Sequence, residues 1–212
     1  MPSQPSTDGF HPRIANALVS IAPSSKRPAW HGAPTVLGLL RDVSAEHALF
    51  RPLPDMNCIR EIALHVAYWN FNVGNILTGQ SAFLDVPQRT AGWVEPVSEL
   101  SEGQWARERT LVEISFLFLT DAVRDFDPAR LDEPPPGSGA ADGRKPAKPL
   151  TRPAAQYIHG IAEHNLYHAA QIKALKLLAA GMDGGASRQT KPAAKPAAKP
   201  RTAPTRTTKR RA

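Results

Sequence analysis

The sequence predicts an all-α fold, a four-helix bundle. Four segments repeat apolar residues every three or four positions, the period of a helix buried on one face. Each is bounded by Pro, Gly or a capping residue. No stretch shows a convincing strand pattern. Four amphipathic helices of about 17 to 28 residues bury their apolar stripes most economically against one another.

Residues 1–29 read as mostly irregular, with a short helical turn around Ile14–Ser20. The bundle is expected over residues 30–181 and a separate tail over 182–212. The first helix is expected from Pro34 to Phe50, because Pro suits a first turn and Pro52 and Pro54 end the segment. Leu37, Leu40, Ser44 and His47 mark one face, with Val36, Leu39 and Val43 beside it. The second is expected from Asn57 to Thr78, capped by Asn57 or Asp55 and stopped by Gly79. Ile62, His65, Trp69, Val73 and Ile76 recur along it at helical spacing. The third is expected from Ser101 to Asp125, and Ser101 with Gln104 forms a capping-box pattern. The fourth is expected from Pro153 to Ala180, with the stripe Ile158, Ile161, His164, His168, Ile172 and Leu175. The first connection is short, so helices one and two are expected to be antiparallel neighbours. The later connections are long, about 22 residues and, between helices three and four, about 27, which allows crossover geometry.

Charge is unevenly placed. The chain has a formal net charge of +7, but the stretch from Gly181 holds nine Lys or Arg against Asp183 alone, leaving −1 for the rest. The fold is therefore near neutral and carries a basic appendage. That tail, TKPAAKPAAKPRTAPTRTTKRRA, is low in complexity, and its closely spaced prolines forbid helix, so it is expected to be disordered. Its basic residues, within 188–211, can contact nucleic acid without reading sequence; a solubilising extension is the other reading. Cys58 is the only cysteine, which excludes an intrachain disulfide and fits a reducing, cytoplasmic setting. No secretory leader pattern and no run of roughly 20 apolar residues is present, so no membrane partner is expected.

Chemistry concentrates on three histidines. His164 and His168 are one helical turn apart, and residues at that spacing have Cβ atoms roughly 5–6 Å apart on one face. His65 lies on the stripe of the second helix. Three imidazoles can share a metal ion at about 2.0–2.1 Å and leave positions open for water or substrate, the arrangement of a catalytic site. The competing reading is of core histidines hydrogen-bonded to polar neighbours. His159, five residues before His164, should face elsewhere, and His47 reads as half-buried. His11 and His31 lie in segments without clear structure. Cys58, seven residues before His65, is about 10 Å away along the axis and reads as a small buried residue. Gln171 shares the face of His164 and His168 and can orient a ligand imidazole; an amide packed between helices is the alternative. Trp69 and Tyr167 can line a pocket or serve as core aromatics. Glu61, four residues before His65, is a candidate base or imidazole partner, or simply exposed. No Gly-x-Ser-x-Gly elbow, phosphate-binding glycine loop or Cys-x-x-Cys pair is present.

The segments IREIALHVAYWNFNVGNILTG, with His65, and YIHGIAEHNLYHAAQIKALKLL, with His164, Tyr167, His168 and Gln171, resemble the DinB superfamily, the DinB/YfiT-like metalloenzymes. WHGAPTVLGLLRDVSAEHALFRPLP, from Trp30, resembles the opening of one of its subgroups. The chain departs from that subgroup at Asn57-Cys58-Ile59-Arg60, where a His-Ser-Ile-Trp run is frequent, and at Ala170, where Gly is common. The resemblance implies a four-helix bundle, a homodimer and a divalent ion, zinc or nickel, on His65, His164 and His168. It implies an enzyme that activates a low-molecular-weight thiol cosubstrate for transfer to an electrophile. Metal-dependent hydrolysis is the alternative. A non-catalytic bundle whose basic tail binds nucleic acid is a third reading.

Overall fold

The computed structural model describes residues 34–82, 84–90, 92–137 and 150–183. The N-terminal segment expected to be irregular, His11, His31, the middle of the long connection and the basic tail with its nucleic-acid reading all lie outside these residues. The described chain is mostly helical with little strand. It forms α1 (Val36–Leu40), α2 (Ala45–Leu49), α3 (Ile59–Thr78), β1 (Gln88–Thr90), β2 (Trp93–Val94), α4 (Glu102–Arg124), a 3₁₀ turn (Pro128–Arg130) and α5 (Ala154–Asp183). Among the described residues no helix is long and apolar enough to cross a membrane.

The expected first helix is broken. Thr35 caps α1, its Oγ1 accepting from the Gly38 N–H at 3.1 Å. Ser44 is extended and caps α2 through the His47 N–H. No Pro or Gly marks the break; side chains of α4 stabilise it. Trp105 Nε1–H donates to the Val43 carbonyl at 2.7 Å, and Arg109 donates to the Arg41 carbonyl at 3.0 Å. The Glu102 carboxylate accepts the Ala45 N–H at 2.7 Å. Tertiary partners thus take up the polar groups that a continuous helix would have paired internally.

α3 is buried on nearly every side. Cys58 is its N-cap, one residue beyond the expected Asn57, and Glu61 accepts the Cys58 N–H at 3.1 Å. Gly79 ends it at φ 74, where glycine avoids the Cβ penalty of the left-handed region. The Ser101–Gln104 capping box starts α4 as the sequence suggests. α5 runs to Asp183, past the expected stop at Ala180, and takes Gly181 into the helix.

Contacts along α3 set the direction of its neighbours. Arg60 meets Glu108, Asn70 meets Ser115, and Gly74 lies against Phe118, so α3 and α4 run parallel. His65 lies by His168, and Asn70 bonds Asn165, so α5 runs antiparallel to α3. A parallel pair cannot be joined by a tight turn. The connection 79–101 therefore returns along α3 and forms the β1–β2 hairpin beside its first half. Arg60 donates to the Glu95 carbonyl at 3.1 Å and ties that return path to the helix. The two short antiparallel strands were not expected from sequence; runs of this length are too brief to display alternation.

Two apolar clusters fill the interior. One joins α1, α2 and the first halves of α3 and α4 to the end of α5, around Trp105, Leu64 and Ile172. The other joins the far ends of α3 and α4 to the start of α5, around Leu77, Phe126 and Ile158. His65 lies within the α3 stretch of the first cluster, and His164 and His168 lie on α5 between Ile161 of the second and Ala169 of the first.

Candidate metal centre

His65, on α3, is 7 % exposed, and His168, on α5, is 4 % exposed. His164, one turn before His168, is half-buried. Their Nε2 atoms converge: His164 Nε2 lies 3.2 Å from His65 Nε2 and 3.1 Å from His168 Nε2. Two nitrogens each about 2.05 Å from one ion at a tetrahedral angle stand roughly 3.3 Å apart, so the spacing suits a shared cation.

The outer nitrogens decide the protonation. His65 Nδ1 lies 2.7 Å from the Gly92 carbonyl, which can only accept, so Nδ1 carries the hydrogen and Nε2 presents its lone pair. His168 Nδ1 lies 2.7 Å from Gln171 Oε1, and the Gln171 amide N–H donates to the Tyr167 hydroxyl at 2.9 Å. His168 Nε2 is then a lone pair too. Two lone pairs point at His164 Nε2, which can hold at most one hydrogen. Such a cluster lacks protons and is suited to a cation. Burial pushes His65 and His164 down to about 4 and lowers His168 as well. All three are therefore neutral at pH 7, the form that binds metal.

Aromatic rings surround the cluster. Trp93, from β2, stacks on the His65 ring at 3.8 Å between centroids and 11° between planes. Trp69 meets His65 edge-on at 6.2 Å and His164 at 6.1 Å. Behind His164 runs a buried polar chain. Asn165 donates to Asn70 Oδ1 at 2.9 Å, Asn70 donates to Ser115 Oγ at 3.1 Å, and Ser115 donates to the Val112 carbonyl at 2.6 Å. It ties α5, α3 and α4 together at the level of the histidines.

The other candidates fall elsewhere. Glu61 is buried, but its carboxylate takes a two-pronged bond from Arg51, at 2.6 and 2.8 Å, and the Cys58 N–H. Burial works to raise its pKa, yet Arg51 and that N–H together hold the carboxyl below the ordinary range. It serves the start of α3 rather than the histidines. Tyr167 is 61 % exposed and reaches the site through Gln171. Cys58 is buried, and burial pushes its thiol up. His159 is exposed. No other group of His, Cys, Asp or Glu side chains among the described residues converges like this.

Sequence reasoning missed Gly92, Trp93 and the Asn165–Asn70–Ser115 chain. Asn70 and Asn165 carried one legible signal, polar residues within apolar helical stripes. The hairpin residues carried none beyond a glycine in a connection.

Residues 33–172 match the family model of the DinB superfamily, which spans every element from α1 to the histidines of α5. The chain belongs to the DinB superfamily. No curated protein and no solved structure matches it. The superfamily includes metal-binding proteins, and in this DinB chain the three converging histidines can hold a metal ion.

Proposed function

We propose that this DinB chain is a metal-dependent enzyme that holds a divalent ion, zinc or nickel, on His65, His164 and His168 and transfers a low-molecular-weight thiol to an electrophile. The observation that carries the reading is the convergence of three neutral Nε2 atoms while two of the outer nitrogens are engaged by fixed acceptors. The fold that accompanies it is a four-helix bundle whose first member is the broken pair α1 and α2.

A divalent ion with open positions supplies acidity, lowering the pKa of a thiol or a water that reaches it. The protein supplies the rest. The Gly92 carbonyl fixes the His65 tautomer, and Gln171, braced by the Tyr167 hydroxyl, fixes that of His168. Trp93 covers one face of the His65 ring, and Trp69 stands edge-on to His65 and His164. In the overall reaction an S–C bond forms, the thiol proton goes to solvent, and the leaving group departs with its electron pair.

The test is a panel of low-molecular-weight thiols with an alkylating electrophile, run on full-length protein loaded with zinc or nickel. The expected result is thiol-dependent product that His164→Ala and His168→Ala abolish. Product formed without thiol consumption establishes hydrolysis instead. No metal-dependent turnover of either kind overturns the enzymatic reading.

A further inference from the structure

Beside the histidines lies a hollow of about 440 Å³, at the small end of the roughly 300–1,000 Å³ found for small-molecule sites. Its walls are Met56, Ile62, Trp93, Leu175 and Leu178. At one end it reaches His168 and Gln171. The loop 55–57 closes one side and the outer face of α5 the other.

Three features of the walls define what fits. Met56 and Leu178 are 41 % and 51 % exposed, so apolar surface faces the hollow that no side chain among the described residues fully covers. Among the described residues the lining holds no Lys or Arg, and its only carboxylate is the exposed Asp55. The nearby cation, Arg89, is turned to the Asn57 amide oxygen at 2.7 Å and lies 5.9 Å from the centre of the Trp93 ring. An anion finds no cation among these lining residues and meets Asp55. A neutral apolar chain gains the Met56, Ile62, Trp93, Leu175 and Leu178 surfaces, with Asp55, Asn57 and Tyr167 forming part of the polar lining. The polar groups at the inner end, the Gln171 amide and the His168 ring, suit a single polar head.

We infer that this hollow is the acceptor subsite of the histidine centre and takes an uncharged hydrophobic molecule, an alkyl or aryl compound with one polar reactive end directed at His168. This rests on the proposed metal site for its role in reaction, but not for its affinity. A second copy of the chain is the rival occupant. The small molecule is favoured because the hollow is lined by His168, one of the three converging histidines, and has the volume of a small ligand.

The experiment uses full-length protein in two arms. In the first, metal-free protein is titrated with unbranched alcohols from butanol to octanol by calorimetry. Affinity should rise about fourfold for each added methylene, the gain expected from burying one CH₂. Hexanoate should bind more weakly than hexanol. Leu178→Glu and Ala174→Trp should flatten the series while far-ultraviolet circular dichroism and melting stay as in the unsubstituted protein; both positions lie on the outer face of α5. In the second arm, cobalt-loaded protein is titrated with unbranched thiols, and the sulfur-to-cobalt absorption band should grow in at lower concentration as the chain lengthens.

A flat alcohol series overturns the inference, whatever the cobalt arm gives. A rising series in protein that takes up no cobalt upholds the subsite and overturns the metal reading instead. A flat series in a protein that light scattering finds dimeric, and that Leu178→Glu makes monomeric, shows a contact between copies and also overturns it.

Discussion

Gly92 joins the hairpin to the histidines, and replacing it with Ala tests whether that joint holds His65 in place. Its φ is 82, so an L-residue there meets the left-handed penalty of roughly 1–2 kcal/mol, partly offset by the stiffer unfolded chain. An added Cβ would also stand 3.1 Å from Trp69 Nε1, 3.1 Å from Tyr68 Cδ1 and 3.3 Å from His65 Nδ1. One or more of these rings must give by a few tenths of an ångström, and His65 is also held to the Gly92 carbonyl by its 2.7 Å bond, so a shift of the backbone at Gly92 moves that bond too. Gly79 is the matched control: its φ is 74, and nothing lies within 4 Å of its added Cβ. Gly79→Ala should therefore lose ~1 kcal/mol, or roughly 2–4 °C of melting temperature for a chain of this size, and Gly92→Ala at least as much. Only Gly92→Ala should weaken metal binding, by about tenfold or more, as happens when the partner of a ligating imidazole is disturbed. Chelator competition with zinc measures the affinity and calorimetry the stability. Equal zinc affinity in the two variants would refute the idea that the hairpin orients His65.

Glu61→Gln should cost about 2 kcal/mol, because it breaks charge-assisted bonds from Arg51, yet leave zinc affinity unchanged. Loss of metal or of activity with stability intact would instead make Glu61 part of the chemistry. Metal-free protein should lose stability as the pH falls from about 6.5 to about 4. In that window the unfolded chain takes up protons on His65 and His164, whose folded values are near 4, and above pH 7 neither state is protonated, so their contribution is flat. Urea midpoints against pH follow this, and a His164→Asn variant with the same slope between pH 6.5 and 4 would contradict it. Gly74→Ala should destabilise by about 1–3 kcal/mol, because its Cβ would overlap the Phe118 ring where α3 and α4 approach closely. Phe118→Leu in the same chain should recover most of that loss, as read by denaturant midpoints, and a double variant no better than the single one would argue against the overlap.

The long helices were legible because their signals are local. α3, α4 and α5 each carry an apolar stripe over five or more turns, with Gly79 at one end of α3 and Ser101–Gln104 opening α4. The break between α1 and α2 was not, since it is stabilised by Trp105, Arg109 and Glu102 from a helix some sixty residues further on. Nor was the parallel direction of α3 and α4, which depends on a long connection whose length allows crossover without requiring it. At the site, the spacing of His164 and His168 and the stripe carrying His65 pointed to the three imidazoles. The partners that set their tautomers were hidden unequally. Gln171 shares a helix face with its histidine, whereas Gly92 and Trp93 reach His65 only because the crossover brings a short hairpin onto α3.

The claim beneath the whole account is that one ion sits among His65, His164 and His168. X-ray absorption at the zinc edge, on untagged protein reconstituted with one equivalent of zinc, tests it most directly. Three imidazole nitrogens are expected at about 2.0–2.1 Å, with one or two oxygen atoms completing the shell. Loss of that shell, with loss of the bound zinc, is expected in His65→Ala. A zinc content well below one ion per chain, or a first shell that keeps its nitrogens without His65, would contradict it.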